Sequence, residues 1–283
     1  MIVLDLEDAV AHQEKTAARE MTRAALPVYT GNTIVSVRVN GADTGRLEDD
    51  VEAVMCEDLD LLLIPKVESV DVLPNVDRMI GRAERELGID AGTTRVLALI
   101  ETARGLVRID DIAASATERV IALAFGLVDF AADIGVGLTP DAATELLYAR
   151  SRVVVAARAT GFAAPIDGPY LDLHDFDGLV QNSKRSRQLG FQGRVIIHPL
   201  QVEHAHRAYS GLSWQEVEHA RSVVAAFEEA EAGGAASIQV DGRFVDYPIY
   251  HRAKQQLRAY ATLRSQEVDR GLEDGTAPTG RVA

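Results

Sequence analysis

The chain has 283 residues, 47% of them hydrophobic, and a formal net charge of −14. That length suits one large domain or two small ones, a single α/β barrel commonly needing about this length, and the acidic balance argues against nucleic acid and anionic membranes as partners. One cysteine, Cys56, excludes an internal disulfide and a cysteine-rich metal site, and no leader or long apolar run is present, so a soluble cytoplasmic protein is expected.

Met1 to Leu6 reads as a strand followed at once by Glu7-Asp8. Lys15 to Leu26 predicts a helix, and Ile34 to Val39 a strand ending in Arg38 and Asn40. Thr44 to Cys56 is helical in pattern, and Leu61 to Ile64 is a strand closed by Pro65-Lys66. Ser69 to Leu87 predicts a helix, Val96 to Ile100 a buried strand, and Leu106 to Ala114 a short helix. Val120 to Phe125 is the next strand, and Pro140 to Thr160 a long helix stopped by Gly161. Ala163 to Ile166 and Val195 to Ile197 are short strands on either side of a helix over His174 to Leu189.

Strands alternating with helices predict βα units and a parallel sheet, and continuous apolar strands predict burial on both faces. The count is seven strands, where a closed barrel of this kind has eight; the remaining unit would precede Met1. After Pro199 the pattern changes. Trp214 to Glu231 is a helix, Asp241-Gly242 signals a two-residue hairpin between Ile238–Val240 and Phe244-Val245, and Pro248 to Leu263 is a last helix. The expected organisation is an α/β barrel over residues 1–200, a helical and hairpin arm over 201–265, and a disordered tail over 266–283.

The chemistry-bearing residues gather at strand ends. Two apolar strands run into Glu101 and, after Gly126-Leu127-Val128, into Asp129. The C-terminal rim of a parallel sheet is where such folds place chemistry, and two neighbouring carboxylates suit Mg²⁺, which leaves its other positions to water and substrate. Asp5, Glu7, Asp8, Arg38, Lys66 and His198 fall at or just past strand ends too, which predicts a charged mouth over an apolar barrel. A lone strand-end glutamate is an ordinary loop carboxylate as often as a functional one; the alignment of several carries the reading. Arg38 is suited to grip a carboxylate through its fork, with a salt bridge to Glu7 or Asp8 as the compatible alternative. For Lys66 a structural ion pair is at least as good a reading as a substrate contact. The backbone N–H groups of residues 131–135 can bind an anion as helix N-termini do. His198 reads better as a buried, hydrogen-bonded histidine than as a base.

Other chemistries lack their residues. There is no Gly-rich dinucleotide or phosphate loop, no zinc-spaced histidine pair with a glutamate, and no nucleophile elbow. The four lysines, Lys15, Lys66, Lys184 and Lys254, do not sit mid-strand as a Schiff-base lysine often does, which favours a metal over an imine.

Leu4-Asp5-Leu6-Glu7-Asp8-Ala9-Val10, Val37-Arg38-Val39-Asn40, Leu63-Ile64-Pro65-Lys66-Val67-Glu68, Leu99-Ile100-Glu101-Thr102-Ala103-Arg104-Gly105, the stretch from Phe125 to Gly135, Ile197-His198-Pro199-Leu200-Gln201 and the stretch from Gly242 to Pro248 together resemble the HpcH/HpaI aldolase and citrate lyase β-subunit family, and within it the CitE-like acyl-CoA lyases. The resemblance implies a (β/α)₈ barrel that binds Mg²⁺ through Glu101 and Asp129, with Arg38 holding a keto-acid or hydroxy-acid carboxylate and the backbone around Asp133, Ile134 and Gly135 assisting. Asp246 matches an aspartate that, in related malyl-CoA and citramalyl-CoA lyases, reaches into a neighbouring subunit, which implies a homotrimer or hexamer. The plain alternative for Asp246 is an N-cap of the helix after Pro248. The chain departs from the family pattern in lacking the first strand and helix and in carrying Val128 where many relatives have glutamate. The implied reaction joins or cleaves a β-hydroxyacyl-CoA, an acyl-CoA and an α-keto acid; the alternatives are a CoA-independent pyruvate aldolase and a catalytically silent assembly subunit.

Overall fold

The computed structural model describes residues 1–29, 31, 33–139, 144–209 and 214–269. The chain divides into two compact units, Met1–Ala205 and His206–Ala283.

In the first unit seven parallel strands pair in chain order. They are β1 (Ile2–Asp5), β2 (Val35–Arg38), β3 (Leu61–Ile64), β4 (Arg95–Ile100), β5 (Val120–Phe125), β6 (Ile166–Asp167) and β7 (Gly193–Arg194). The connections carry α1 (Lys15–Ala25), α2 (Leu47–Val54), α3 (Val72–Leu87), α4 (Ala103–Val107), α5 (Ile109–Ala114), α6 (Leu127–Asp133), α7 (Leu147–Ala159) and α8 (Phe176–Leu189). Sequential parallel pairing through crossover helices is the winding of a (β/α) barrel. Among the described residues β1 and β7 each have one sheet neighbour, so the sheet is a curled seven-stranded portion of that barrel.

Side-chain alternation separates two apolar layers. Leu62, Ile64, Val96, Ala98, Ile100, Leu123 and Phe125 pack outward with the helices. Leu61, Leu63, Leu97, Leu99, Ala122 and Ala124 form a second cluster on the inner face. Both faces are buried, which is why these strands read as unbroken hydrophobic runs. The same parity sends residue 101 inward with Leu97 and Leu99, and Arg38 inward opposite the outward-packed Val35 and Val37.

Several sequence boundaries need correction. The sixth strand is Ile166–Asp167 and the seventh Gly193–Arg194, not the apolar runs Ala163–Ile166 and Val195–Ile197. Arg194 is drawn into the sheet because Asn182, Ser183 and the Gly168 carbonyl bind its guanidinium, which hydropathy does not reveal. The long helix is Leu147–Ala159; its expected start at Pro140 lies outside the described residues.

α9 (Val202–Tyr209) follows the sheet, and the second unit holds α10 (Trp214–Ala232), the hairpin β8 (Ser237–Val240) and β9 (Arg243–Asp246), and α11 (Tyr247–Asp269). Asp241 and Gly242 both have positive φ, 50° and 76°, as the two-residue turn requires. Phe227 is fully buried and stacks on Tyr250 with ring centroids 4.7 Å apart. Residues 266–269, expected to begin a disordered tail, continue α11; the rest of that tail lies outside the described residues. Among the described residues no helix is long and apolar enough to cross a membrane.

Candidate active site

Strand register builds the charged mouth. Asp5 stands directly across from Arg38 in the β1–β2 ladder. The guanidinium therefore lies against its carboxylate, with Nε donating to Oδ1 at 2.8 Å and NH2 to Oδ2 at 2.5 Å. NH1 sits 3.1 Å from Glu7 Oε2. The sequence offered Glu7 or Asp8 as partners of Arg38; Asp5 is the residue that occupies the fork. Lys66 closes the other side of Glu7, donating from Nζ to Oε1 at 2.5 Å and reaching Asp8 at 3.5 Å.

Glu7 is only 4% exposed, because the turn carrying it is tied down from below. The buried Lys15 ammonium donates to the carbonyls of Leu6 and Glu7, both at 2.6 Å, and the Asn40 amide donates to Leu6 O at 3.0 Å. Burial would raise the Asp5 carboxyl, but the Arg38 hydrogen bond overrides it and holds Asp5 below the usual carboxylate range. Glu7 goes the other way: burial raises it despite Lys66 and Arg38. Burial likewise disfavours the charged forms of Arg38 and Lys66, and their acidic partners more than reverse this, so both hold their protons more tightly than usual.

Glu101 is the most enclosed acid of the group, 1% exposed. Its Oε1 accepts the Lys66 backbone N–H at 2.9 Å. Lys66 adopts a left-handed φ of 48° to aim that N–H. On the opposite side Gly126 makes room: a Cβ there would lie 2.2 Å from Glu101 Oε2. Thr102 starts α4 just after Glu101, its hydroxyl accepting the Gly105 N–H at 3.0 Å. Asp129 lies in the first turn of α6, half-buried, four residues past the end of β5. Burial first, then the charges of Asp129 and Glu7, push the Glu101 carboxyl up to about 8. A buried carboxyl destabilised by a second carboxylate is what a bound cation would relieve. Among the described residues no group of three or more His, Cys, Asp or Glu side chains forms a ready-made metal cage. The Glu101–Asp129 pair thus fits a hard divalent cation that takes two carboxylates and completes its shell from water and substrate; it does not fit zinc, which wants nitrogen and sulfur ligands.

Asp133, Ile134 and Gly135 stand elsewhere than the sequence suggested. Asp133 is the last residue of α6, and Ile134 and Gly135 follow at its C-terminal end. The Ile134 N–H donates to Phe130 O at 3.1 Å, the Gly135 N–H to Ala132 O at 3.2 Å, and the Val136 N–H to Ala131 O at 2.9 Å, with Gly135 left-handed at φ 70°. These amides are engaged within their own helix end. The Asp133 carboxylate instead accepts the Ala103 N–H at 2.7 Å, supplying its own anion at the start of α4. His198 is half-buried and accepts the Leu200 N–H on Nδ1 at 3.2 Å. In the second unit Asp246 ends β9 and accepts the Ile249 N–H on Oδ1 at 3.3 Å, which is the capping geometry. The residues that sequence reasoning missed are Lys15 and Asn40, whose role depends on which carbonyls the fold brings within reach.

A charged rim over a curled parallel sheet, with Glu101 just past β4 and Asp129 in the first turn of α6, is the arrangement of an enzyme site on a (β/α) barrel. The family model for HpcH/HpaI aldolase/citrate lyase matches residues 1–199. The chain belongs to that family and is a lyase-type enzyme. Citrate lyase subunit beta of Leuconostoc mesenteroides subsp. cremoris is 37% identical over 258 residues, covering 91% of this chain and 84% of that protein. A (3S)-malyl-CoA thioesterase of Cereibacter sphaeroides is 37% identical over 257 residues, covering 90% and 85%. Among solved structures, CitE of Mycobacterium tuberculosis in complex with magnesium, acetoacetate and coenzyme A matches with a TM-score of 0.75 at 29% identity, covering 92% of this chain and 90% of that one.

Proposed function

We propose that this chain is a Mg²⁺-dependent carbon–carbon lyase. It would cleave a β-hydroxyacyl-CoA of the malyl-CoA or citramalyl-CoA type to an acyl-CoA and an α-keto acid, or form it in reverse. The observation that carries this reading is the buried Glu101 carboxyl set against Asp129 at the inner rim of the sheet, with the Arg38 cluster on the same face. Relatives named as malyl-CoA enzymes and a neighbour solved with magnesium and coenzyme A support it.

Glu101 and Asp129 would hold the ion, which when bound supplies a Lewis acid for the keto-acid carbonyl. Arg38 presents the N–H groups that Asp5 does not occupy to the substrate carboxylate, and Asp5 and Glu7 keep the fork from turning. The Lys66 N–H holds Glu101 in one orientation. Asp246 of a neighbouring subunit in a trimer or hexamer would take the proton from the acyl-CoA methyl group in the condensing direction and return it during cleavage. Hydrolysis of the product thioester in the same site would make the enzyme a thioesterase, as one relative is named.

The test is a CoA-ester assay over malyl-CoA, citramalyl-CoA and their component acyl-CoAs and keto acids, with and without Mg²⁺, following both free thiol and keto acid. Cleavage that appears only with the metal is the expected result. Metal-independent turnover, or turnover of pyruvate adducts lacking CoA, would overturn the assignment.

A further inference from the structure

A cavity of about 840 Å³ lies along α3, on the helix side of the first unit. Ala91, after α3, and Arg119, just before β5, line one end of it, beside the N-terminal ends of the strands. Glu101 stands past the C-terminal end of β4, so this cavity is separate from the charged rim.

Its charges do not cancel. Each carboxylate that lines it already has an arginine: Glu48 accepts from Arg82 at 2.7 Å, and Arg119 pairs with Asp77 at 2.6 Å and with Glu84 at 2.8 Å. Arg78 and Arg85 line it too, and both are exposed. Arg78 donates to the neutral amide oxygen of Asn75. Among the described residues neither Arg78 nor Arg85 has a carboxylate at ion-pairing distance. Arg78, Arg82 and Arg85 follow one another at i, i+4 and i, i+3 spacing, where like charges repel. This surplus of positive charge stands on a chain whose net charge is −14.

Gly81 opens the space between the two unpaired arginines. It sits inside α3, where glycine is a poorer helix former than alanine. The packing does not demand it: a Cβ there would meet only Arg85 NH1, at 3.6 Å, an ordinary contact. The missing side chain leaves room in the cavity, and the Arg85 guanidinium folds back over it. Arg78 reaches residue 75 and Arg85 reaches residue 81, so their guanidinium groups stand six residues, or about 9 Å, apart along the helix axis.

We infer that this cavity binds an elongated dianion, one oxyanion end on Arg78, the other on Arg85, and the body over Gly81. A short dianion does not reach both arginines, and a monoanion leaves one of them unpaired. The guanidinium fork takes carboxylate and phosphate alike, so the shared chemistry is two oxyanion ends held about 9 Å apart.

The inference is tested by calorimetry on the full chain in Mg²⁺-free buffer at low salt, with suberate, succinate and hexane-1,6-diol bisphosphate. Suberate should bind one site, and succinate, too short for both arginines, should bind about tenfold more weakly or worse, the scale of one charged hydrogen bond. Arg78→Gln and Arg85→Gln, both at exposed positions, should each weaken suberate about tenfold. Gly81→Glu sets a carboxylate among the arginines; it should abolish binding while the melting temperature holds or rises, since glutamate is the better helix former. Arg23→Gln, which removes an exposed cation from α1, should change nothing, and Glu101→Gln should leave suberate binding intact whatever becomes of the lyase reading. Tighter binding of the bisphosphate identifies phosphate ends, and equal or tighter binding of suberate identifies carboxylate ends; both fit the site. No binding of either long dianion, succinate binding as well as suberate, binding undiminished by Gly81→Glu, or binding lost with Glu101→Gln would overturn it.

Discussion

Glu101 combines near-complete burial with a second carboxylate beside it, and the consequence is a proton held up to about pH 8. The folded chain binds this proton more tightly than the unfolded chain does. Stability of the metal-free protein should therefore fall as pH rises from the ordinary carboxylate range to about 8, then level off. Mg²⁺ should raise the melting temperature more at pH 9 than at pH 6, because its binding requires the ionised form. Glu101→Gln should flatten the metal-free profile and erase the Mg²⁺ response; melting curves across pH with and without metal decide it, and an unchanged profile would remove Glu101 from the site. Arg38→Lys keeps the charge but loses the paired geometry toward Asp5 and the substrate, so KM for the keto acid should rise by the equivalent of about 1.5–3 kcal/mol. An unchanged KM would make Arg38 purely structural. Arg38 and Glu101 were legible in the sequence as strand-end charges, whereas Asp129, read as the end of a strand, stands in the first turn of α6. The Asp5 partner was not legible, because a ladder register does not show in a single strand's residues.

At the level of elements, β5 and α6 meet in Gly126, and the site depends on what that residue lacks. Its φ of −89° suits any residue, so the demand is space alone. A methyl group there would sit 2.2 Å from Glu101 Oε2 and 2.5 Å from Glu101 Cβ. Gly126→Ala should displace the carboxylate and reduce Mg²⁺ affinity at least about tenfold, the scale of one lost charged contact, with far-ultraviolet circular dichroism unchanged. Titration calorimetry showing wild-type affinity would mean that Glu101 is free to move. Elements with strong hydrophobic periods were readable: β5 and α10 lie where the pattern places them, and the Asp241-Gly242 turn does too. β6 and β7 were misplaced because polar contacts, those of Asp167 and Arg194, set their position. The backbone N–H groups of residues 131–135 were read as able to bind an anion because composition alone does not show that those of Ile134 and Gly135 are engaged at the end of α6.

For the whole molecule, the open question is where Asp246 acts. In its own unit it caps α11 through Ile249, and asparagine caps as well as aspartate. Asp246→Asn should therefore leave the melting temperature and Mg²⁺ binding unchanged while carbon–carbon bond chemistry falls by orders of magnitude. If the acid is supplied across a subunit boundary, mixing inactive Asp246→Asn chains with inactive Glu101→Gln chains should restore part of the activity. Failure of the mixture to recover activity, with exchange verified by native mass spectrometry, would confine Asp246 to capping. The (β/α) architecture followed from the alternation of elements, and the curled sheet agrees with it. The subunit arrangement has no counterpart in the hydrophobic pattern of one chain and rests on the resemblance alone.

The left-handed backbone of Lys66 bears on how this enzyme would respond to laboratory selection. A non-glycine residue in that conformation costs roughly 1–2 kcal/mol, yet here it aims the N–H that holds Glu101 while Nζ engages Glu7. Glycine would relax the backbone and asparagine would tolerate it, and either would give up the Glu7 ion pair. A library randomised at position 66 and screened for heat resistance should enrich glycine and asparagine, whereas the same library screened for turnover should return lysine. Recovery of lysine from both screens would show that its ion pair outweighs the strain, leaving no conflict between durability and catalysis at that position.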